Sequence, residues 1–112
     1  MSPKLGTKLY TLIEDFDHPA GFRIPAPYDT NGASIPRLLW TVGGITPYDP
    51  ALIAPALSHD FLFEKDCPVA YTFEEANELF RVDLLSEGNS EEIVYLMYNA
   101  IQMFGRSHFR QD

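Results

Sequence analysis

The chain has 112 residues, of which 46% are hydrophobic and 13% aromatic, and its formal net charge is −8. This length and composition predict one globular domain over residues 1–112 and exclude a disordered chain. The acidic balance argues against nucleic acid as the main partner, because binding a phosphate backbone requires clustered lysine and arginine.

The first third of the chain is typical of extended, turn-rich structure. "KLYTLI" (8–13) contains strand-forming residues, and "GFRIPAP" (21–27) alternates apolar and polar residues until prolines end it. The Asp- and Pro-containing segment 14–20 predicts a turn between them, with His18 at the surface, so we expect a small antiparallel pair. "YDTNGASIP" (28–36) predicts a loop.

The next segments predict helices. A short helix or 3₁₀ turn is expected from Pro36 to Gly43. Asp49-Pro50 is typical of an N-cap followed by a first-turn proline, in a helix that ends near Lys65. Pro55 either kinks this helix or begins it, because proline lacks a backbone N–H donor.

Two further helices complete the prediction. Thr72 and Glu75 form a capping-box pattern, and Gly88 is typical of the end of that helix. The last helix lies within "NSEEIVYLMYNAIQMF" and ends at Gly105. Its apolar stripe consists of Ile93, Leu96, Met97, Ala100, Ile101 and Phe104. The expected class is α+β, with a small antiparallel β element at the N-terminus packed on about three α-helices in a single compact domain.

His59 and Asp60 stand side by side within the apolar stretch "ALSHDFLF" (56–63). Adjacent helical residues point about 100° apart, so one of the pair should face inward and the other lie near the helix edge. Asn77 shares a face with apolar residues of the next helix, and a short connection should pack the two helices antiparallel. His59 or Asp60 should then come within reach of Asn77.

Two interpretations of this pair stay open. In the first, His59 and Asp60 belong to a buried hydrogen-bond network that fixes helix packing. In the second, they are catalytic and activate water or hold a divalent metal. A metal site would need three or four convergent ligands, so we predict no metal and no cofactor.

A second group of polar residues lies in "NGASIPRLLW" (31–40). Ser34 lacks the G-x-S-x-G context of a nucleophile and is interpreted as an N-cap before Pro36. A salt bridge from Arg37 to Asp60 would be structural. The predicted polar network consists of Asn31, Ser34, Arg37, His59, Asp60 and Asn77.

The sequence offers few signals of location. No apolar run is long enough to span a bilayer, and "MSPKLGTKLY" lacks the apolar stretch of a signal peptide. Cys67 is the single cysteine, which suits a reducing compartment. We therefore expect synthesis in the cytoplasm and no membrane span.

Several segments carry a family resemblance. In order, "FRIP", "TNGASIPRLLW", "ALSHDFLF", "EEANELFRVDLL" and "MYNAIQMFG" resemble the domain-of-unknown-function family numbered 1353, whose members are small proteins of bacteriophages and prophages. The resemblance runs from about Phe22 to Gly105. It implies a phage origin and expression in a bacterial host.

The chain departs from the family pattern at positions that matter for chemistry. The pattern is T-D-x-A-S-I-P, then H-D-x-L-Y, then A-D-x-x-F, and Asn31 and Asn77 stand where the family usually has Asp. Phe63 replaces a Tyr. An amide keeps a hydrogen-bond network, but it cannot act as a general base and is a poorer cation ligand. These departures favour a structural role over catalysis.

The leading hypothesis is therefore a non-enzymatic bacteriophage protein, either a virion structural component or a protein–protein interaction component. Its partners would be other protein chains, including virion proteins, and a homo-oligomer stays open. One alternative is a phage hydrolase that uses His59 and Asp60 on lipid or cell-wall material. Another is an acidic inhibitor of a host protein, for which the acidic segment 74–92 is the hint.

Overall fold

The computed structural model describes residues 11–29, 50–106 and 109. Within these residues a β element precedes three helices, which confirms the predicted α+β class. The strands are β1 (Thr11–Leu12), β2 (Phe16–Asp17), β3 (Arg23–Ile24) and β4 (Tyr28–Asp29), and the helices are α1 (Pro50–Phe63), α2 (Phe73–Ser86) and α3 (Glu91–Phe104). The short helix expected from Pro36 and the N-cap expected at Asp49 lie outside the described residues.

The two strand pairs form one interrupted hairpin. Strand β1 pairs antiparallel with β4, and β2 pairs antiparallel with β3. The same number of residues separates β1 from β2 as separates β3 from β4, so the two pairs belong to one hairpin. The ladder breaks between the pairs, where Pro25 and Pro27 supply no N–H donor. There the Asp15 carboxylate accepts a hydrogen bond from the Ala26 N–H at 2.8 Å, so a side chain replaces part of the missing ladder.

The turn of this hairpin is shorter than the sequence predicts. Phe16 and Asp17, assigned to a turn over 14–20, belong to β2, and the Gly21 N–H closes the turn on the His18 carbonyl at 2.9 Å. Gly21 has a φ of 105°, a conformation that favours glycine. The turn prediction was wrong because Phe16 continues the buried face begun by Leu12, and its burial outweighs the turn preference of the neighbouring Asp and Pro.

Helix α1 begins before Pro55 and runs through it. The proline lacks the N–H that would bond to the carbonyl of Ala51, four residues earlier. The side-chain amide of Asn89 donates to that carbonyl oxygen at 2.9 Å and to the carbonyl oxygen of Leu84, also at 2.9 Å. Asn89 therefore joins the site of the missing helical bond in α1 to the C-terminal end of α2.

Helix α1 packs between the other helices and the hairpin. One apolar cluster joins it to α2 and α3 and contains Leu52, Ala56, Phe80, Leu84, Val94, Met97 and Ile101. A second joins it to the hairpin and contains Leu12, Phe16, Ile24, Leu57, Phe61, Leu62 and Ala76. Because α1 contributes to both clusters, its apolar residues are buried on opposite sides, which explains why its sequence is apolar almost throughout.

The ends of α2 follow the sequence prediction. The Thr72 hydroxyl accepts a hydrogen bond from the Glu75 N–H at 3.0 Å, and the Glu75 carboxylate accepts one from the Thr72 N–H at 2.9 Å. Gly88, with a φ of 89°, follows the last turn. The capping box and the glycine stop are thus confirmed.

Among the side chains that the structure describes, the apolar stripe predicted for α3 is wrong at Leu96. Met97 and Ile101 are buried against α1 and α2, but Leu96 is 44% exposed. Leu96 lies about 100° from Met97 around the helix axis, and α1 and α2 cover too narrow an arc of α3 to reach it. No helix in the described part of the chain is long and apolar enough to cross a membrane.

Candidate functional site

His59 is held in the interior by aromatic rings. It lies near the C-terminal end of α1, and its imidazole centroid is 4.2 Å from the ring of Phe63, one turn further along. The ring of Phe80 from α2 lies 4.6 Å away. His59 is only 2% exposed, so its polar atoms need partners within the protein.

Asn77 of α2 supplies one such partner. His59 Nε2 lies 2.7 Å from Asn77 Oδ1. Burial lowers the pKa of His59 from 6.5 to about 4, although the hydrogen bond to Asn77 acts in the opposite direction. The imidazole is therefore neutral at pH 7, and because an amide oxygen only accepts, Nε2 carries the proton and donates it.

The hydrogen bond continues from Asn77 into α3. Asn77 Nδ2 donates to Gln102 Oε1 at 2.6 Å, and Gln102 Nε2 donates to the Tyr98 hydroxyl oxygen at 3.3 Å. Each amide accepts through oxygen and donates through nitrogen, so the bonds run in one direction from α1 through α2 to α3. We call this chain of His59, Asn77, Gln102 and Tyr98 the amide relay.

Asp60 lies on a different face of α1. Burial raises the pKa of Tyr28 in β4 above its ordinary value, and the nearby carboxylates of Asp60 and Glu64 raise it further. The Tyr28 hydroxyl donates to Glu64 Oε1 at 3.1 Å. His59 thus contacts Asn77 of α2, whereas the carboxylate of Asp60 lies close enough to Tyr28 of the hairpin to raise the pKa of that hydroxyl.

One contact of the polar network expected from the sequence lies within the described residues. It brings His59 and Asn77 together, whereas Asn31, Ser34 and Arg37 lie outside the described residues. Within residues 11–29, 50–106 and 109, no three His, Cys, Asp or Glu side chains cluster as ligands for a metal ion.

Two members of the amide relay were not identified from the sequence. Tyr98 and Gln102 are four residues apart in α3, the spacing at which helical side chains meet. That spacing is a usable signal, but recognising it requires knowing that this side of α3 faces Asn77. The sequence shows the spacing of Tyr98 and Gln102, but it does not show that Asn77 is the residue they contact.

His18 is a second polar contact that sequence reasoning missed. The expectation that it lies at the surface was wrong, since it is 7% exposed and its Nε2 lies 2.8 Å from Asp83 Oδ2 of α2. The Ala20 N–H donates to Nδ1 at 2.9 Å, so in the neutral ring the proton is on Nε2 and is donated to Asp83. The ring also stacks on Phe22 with centroids 4.6 Å apart. His18 therefore ties the hairpin turn to α2.

The outer side of α3 has the opposite character. Tyr95 is 69% and Met103 73% exposed; Tyr95 is next to the exposed Leu96, and Met103 lies about two turns further along the helix. Glu91, Glu92, Tyr95 and Leu96 line an open groove of about 480 Å³. The molecule thus has a closed polar interior at His59 and an open, partly apolar surface on α3.

The comparisons with known proteins give one match. A family model described as "Protein of unknown function (DUF1353)" matches residues 10–101. No curated protein and no solved structure matches the chain.

Proposed function

The chain belongs to the DUF1353 family, and on that premise we propose that it is a non-enzymatic bacteriophage protein, working as a virion structural component or a protein–protein interaction component. The phage origin rests on the sequence resemblance described above. The observation that carries the non-enzymatic role is the closed environment of His59. In this proposal the protein is made in the host cytoplasm and joins other protein chains, including those of the virion.

The environment of His59 suits a structural role better than catalysis. A general base must come within hydrogen-bonding reach of its substrate and works best with a pKa near the operating pH. His59 is almost fully buried, and burial lowers its pKa to about 4. A hydrolase that used this imidazole would first have to expose it to the substrate.

The chemistry of Asn77 supports the same proposal. Asn77 accepts a hydrogen bond from His59 and donates one to Gln102. A carboxylate at this position would accept from His59 but could not donate to Gln102. The amide thus fits a tie between three helices, whereas a carboxylate would fit a charged pair with histidine.

A substitution at His59 separates the structural role from the catalytic one. In His59→Gln, the glutamine Nε2 can donate to Asn77 Oδ1 much as the imidazole Nε2 does, but the side chain cannot exchange protons. We expect phage carrying this variant to yield as many particles as the wild type, with the protein co-purifying with intact particles in both cases.

Two outcomes would contradict the proposal. One is a folded His59→Gln protein whose phage yield falls to that of a deletion, because this would indicate proton transfer by His59. The other is a wild-type protein that is recovered from infected cells free of particles and of any other chain.

A further inference from the structure

From the outer side of α3 we infer that it docks a basic amphipathic helix of another protein chain; this rests on the proposed role as an interaction component. The surface concerned, here called the docking face, is formed by Glu91, Glu92, Tyr95, Leu96 and Met103. All five side chains are exposed.

The docking face follows from the helical period of α3. Val94, Met97 and Ile101 pack into the interior, so the residues on the far side of the helix point away from it. Three of those residues are large and apolar, and Tyr95 and Met103 are more exposed than Leu96. Tyr95 and Leu96 are neighbours and Met103 lies about two turns further along the same helix. Exposed apolar surface bordered by polar residues is typical of interaction sites.

The groove on this face suits a long basic side chain. It is lined by Glu91, Glu92, Tyr95 and Leu96, and its surface is almost wholly apolar, so the two glutamates contribute mainly their side-chain carbons to it. A lysine or arginine lays its aliphatic stem along apolar surface and keeps its charged end near anions. An aromatic ring adds a further attraction for such a cation.

The negative charge at this end of α3 is not neutralised by the described residues. Glu87, Glu91 and Glu92 form no ion pair with another residue that the structure describes, and the described arginines of the helices pair with other glutamates. Arg81 pairs with Glu78 at 2.7 Å and Arg106 with Glu74 at 3.7 Å. A basic partner would thus meet carboxylates that the described arginines do not neutralise. This charge complementarity is the reason to expect lysine or arginine on the partner helix.

The same charges disfavour the other occupants. Nucleic acid and anionic lipid would bring phosphates towards carboxylates, and a second copy would bring another net charge of −8. The occupant is also expected to be helical. Backbone groups within α3 are already hydrogen-bonded, so an extended peptide cannot pair with them, while a helix can pack its side chains along the 14-residue length of α3, about 21 Å.

The test uses a synthetic amphipathic helix of leucine and lysine, as long as α3, with a leucine–glutamate peptide as the control ligand. Binding is measured by calorimetry and mapped by amide chemical shifts in the full-length protein. We expect the lysine peptide alone to bind, with shifts centred on Tyr95, Leu96 and Met103. Affinity should fall about tenfold in Leu96→Ser, which removes an apolar contact. It should also fall about tenfold in Glu91→Gln/Glu92→Gln, which removes the negative charge that attracts lysine.

The control variant is Glu14→Gln/Asp66→Asn. It changes the net charge by as much as Glu91→Gln/Glu92→Gln does, but at exposed positions outside α3. It should therefore alter affinity less than about twofold. The inference is wrong if the docking-face variants lose no more affinity than this control, or if the shifts are scattered over other surfaces. It is also wrong if the protein dimerises and Leu96→Ser abolishes the dimer, since a second copy is then the occupant.

Failure here differs from failure of the proposed function. If the docking-face variants bind the lysine peptide as the wild type does while the protein still co-purifies with particles, another surface makes the contact and the proposed function stands. If the docking face binds the peptide but folded His59→Gln abolishes phage yield, the interaction is real and the non-enzymatic role is wrong.

Discussion

The side-chain amide of Asn89 lies 2.9 Å from the carbonyl oxygen of Ala51 and donates a hydrogen bond to it. That carbonyl is the one that Pro55 leaves without its helical donor. A residue between α2 and α3 therefore satisfies a carbonyl whose helical donor is missing because of a proline in α1, and it links α1 to the C-terminal end of α2.

The first prediction concerns this contact. Asn89→Ala should lower the free energy of unfolding by about 2 kcal/mol, because it removes donors from the Ala51 and Leu84 carbonyls. In a Pro55→Ala background, residue 55 regains its N–H and can bond to Ala51, so the same substitution should cost less. Urea denaturation of the four proteins measures the coupling, and strictly additive losses would contradict this account of Pro55.

The second prediction concerns pH. The folded protein holds the pKa of His59 at about 4, below its ordinary 6.5, so in this range the unfolded chain binds a proton that the folded chain does not. The contribution of neutral His59 to stability is therefore complete above pH 6.5 and is lost as the pH falls towards 4. The loss should reach about 3 kcal/mol.

His59→Gln is the control for that measurement, because it keeps a donor near Asn77 and does not titrate. Urea unfolding of both proteins at a series of pH values gives the difference in their free energies of unfolding. Carboxylates titrate in both proteins, so their effect largely cancels in this difference. Curves that stay parallel from pH 6.5 to 4 would show that His59 titrates normally.

The third prediction restores a carboxylate at the centre of the amide relay. Asn77→Asp should raise the pKa of His59, because a carboxylate accepting from Nε2 favours the charged imidazole. It should also lower stability at pH 7, since Gln102 loses its donor. An NMR titration of the His59 ring checks the direction, with Asn99→Asp in α3 as the matched substitution outside the relay. An unchanged or lower pKa would mean that the two side chains do not bond in solution.

The fourth prediction compares two serines. The Ser58 hydroxyl is buried and has no hydrogen-bond partner within the described part of the chain, whereas the Ser90 hydroxyl accepts from the Ile93 N–H at 3.3 Å and caps α3. Ser58→Ala should therefore leave stability unchanged or raise it by up to about 1 kcal/mol, and Ser90→Ala should lower it by about 1 kcal/mol. Thermal or urea unfolding measures both, and a clear loss of stability in Ser58→Ala would show that its hydroxyl is bonded.

The elements that sequence reasoning placed well are those set by neighbouring residues. Thr72, Glu75 and Gly88 determine the ends of α2 through contacts within a few positions of each other. The approach of His59 to Asn77 was also foreseeable, because it follows from the face that each occupies on its helix and from the short connection between the helices. In these cases local patterns contain most of the information that the structure uses.

The contacts that the sequence did not reveal are made between distant segments. His18 can be buried because Asp83, far along the chain, accepts a hydrogen bond from it, and nothing in the hairpin sequence indicates that partner. The hydrogen bond from Asn89 to the Ala51 carbonyl, whose helical donor is missing at Pro55, is likewise not indicated by the local sequence. Leu96 has the period of a buried residue, and its exposure depends on how much of α3 the other helices cover.

The amide relay also constrains how the helices can turn. Its bonds have a fixed polarity, since each amide offers oxygen on one side and nitrogen on the other. Rotating α2 about its own axis would move both atoms of Asn77 out of place at once and break the bonds to α1 and α3 together. The relay therefore couples the rotation of the three helices about their axes. If one helix turns, the other two must turn with it to keep the hydrogen bonds.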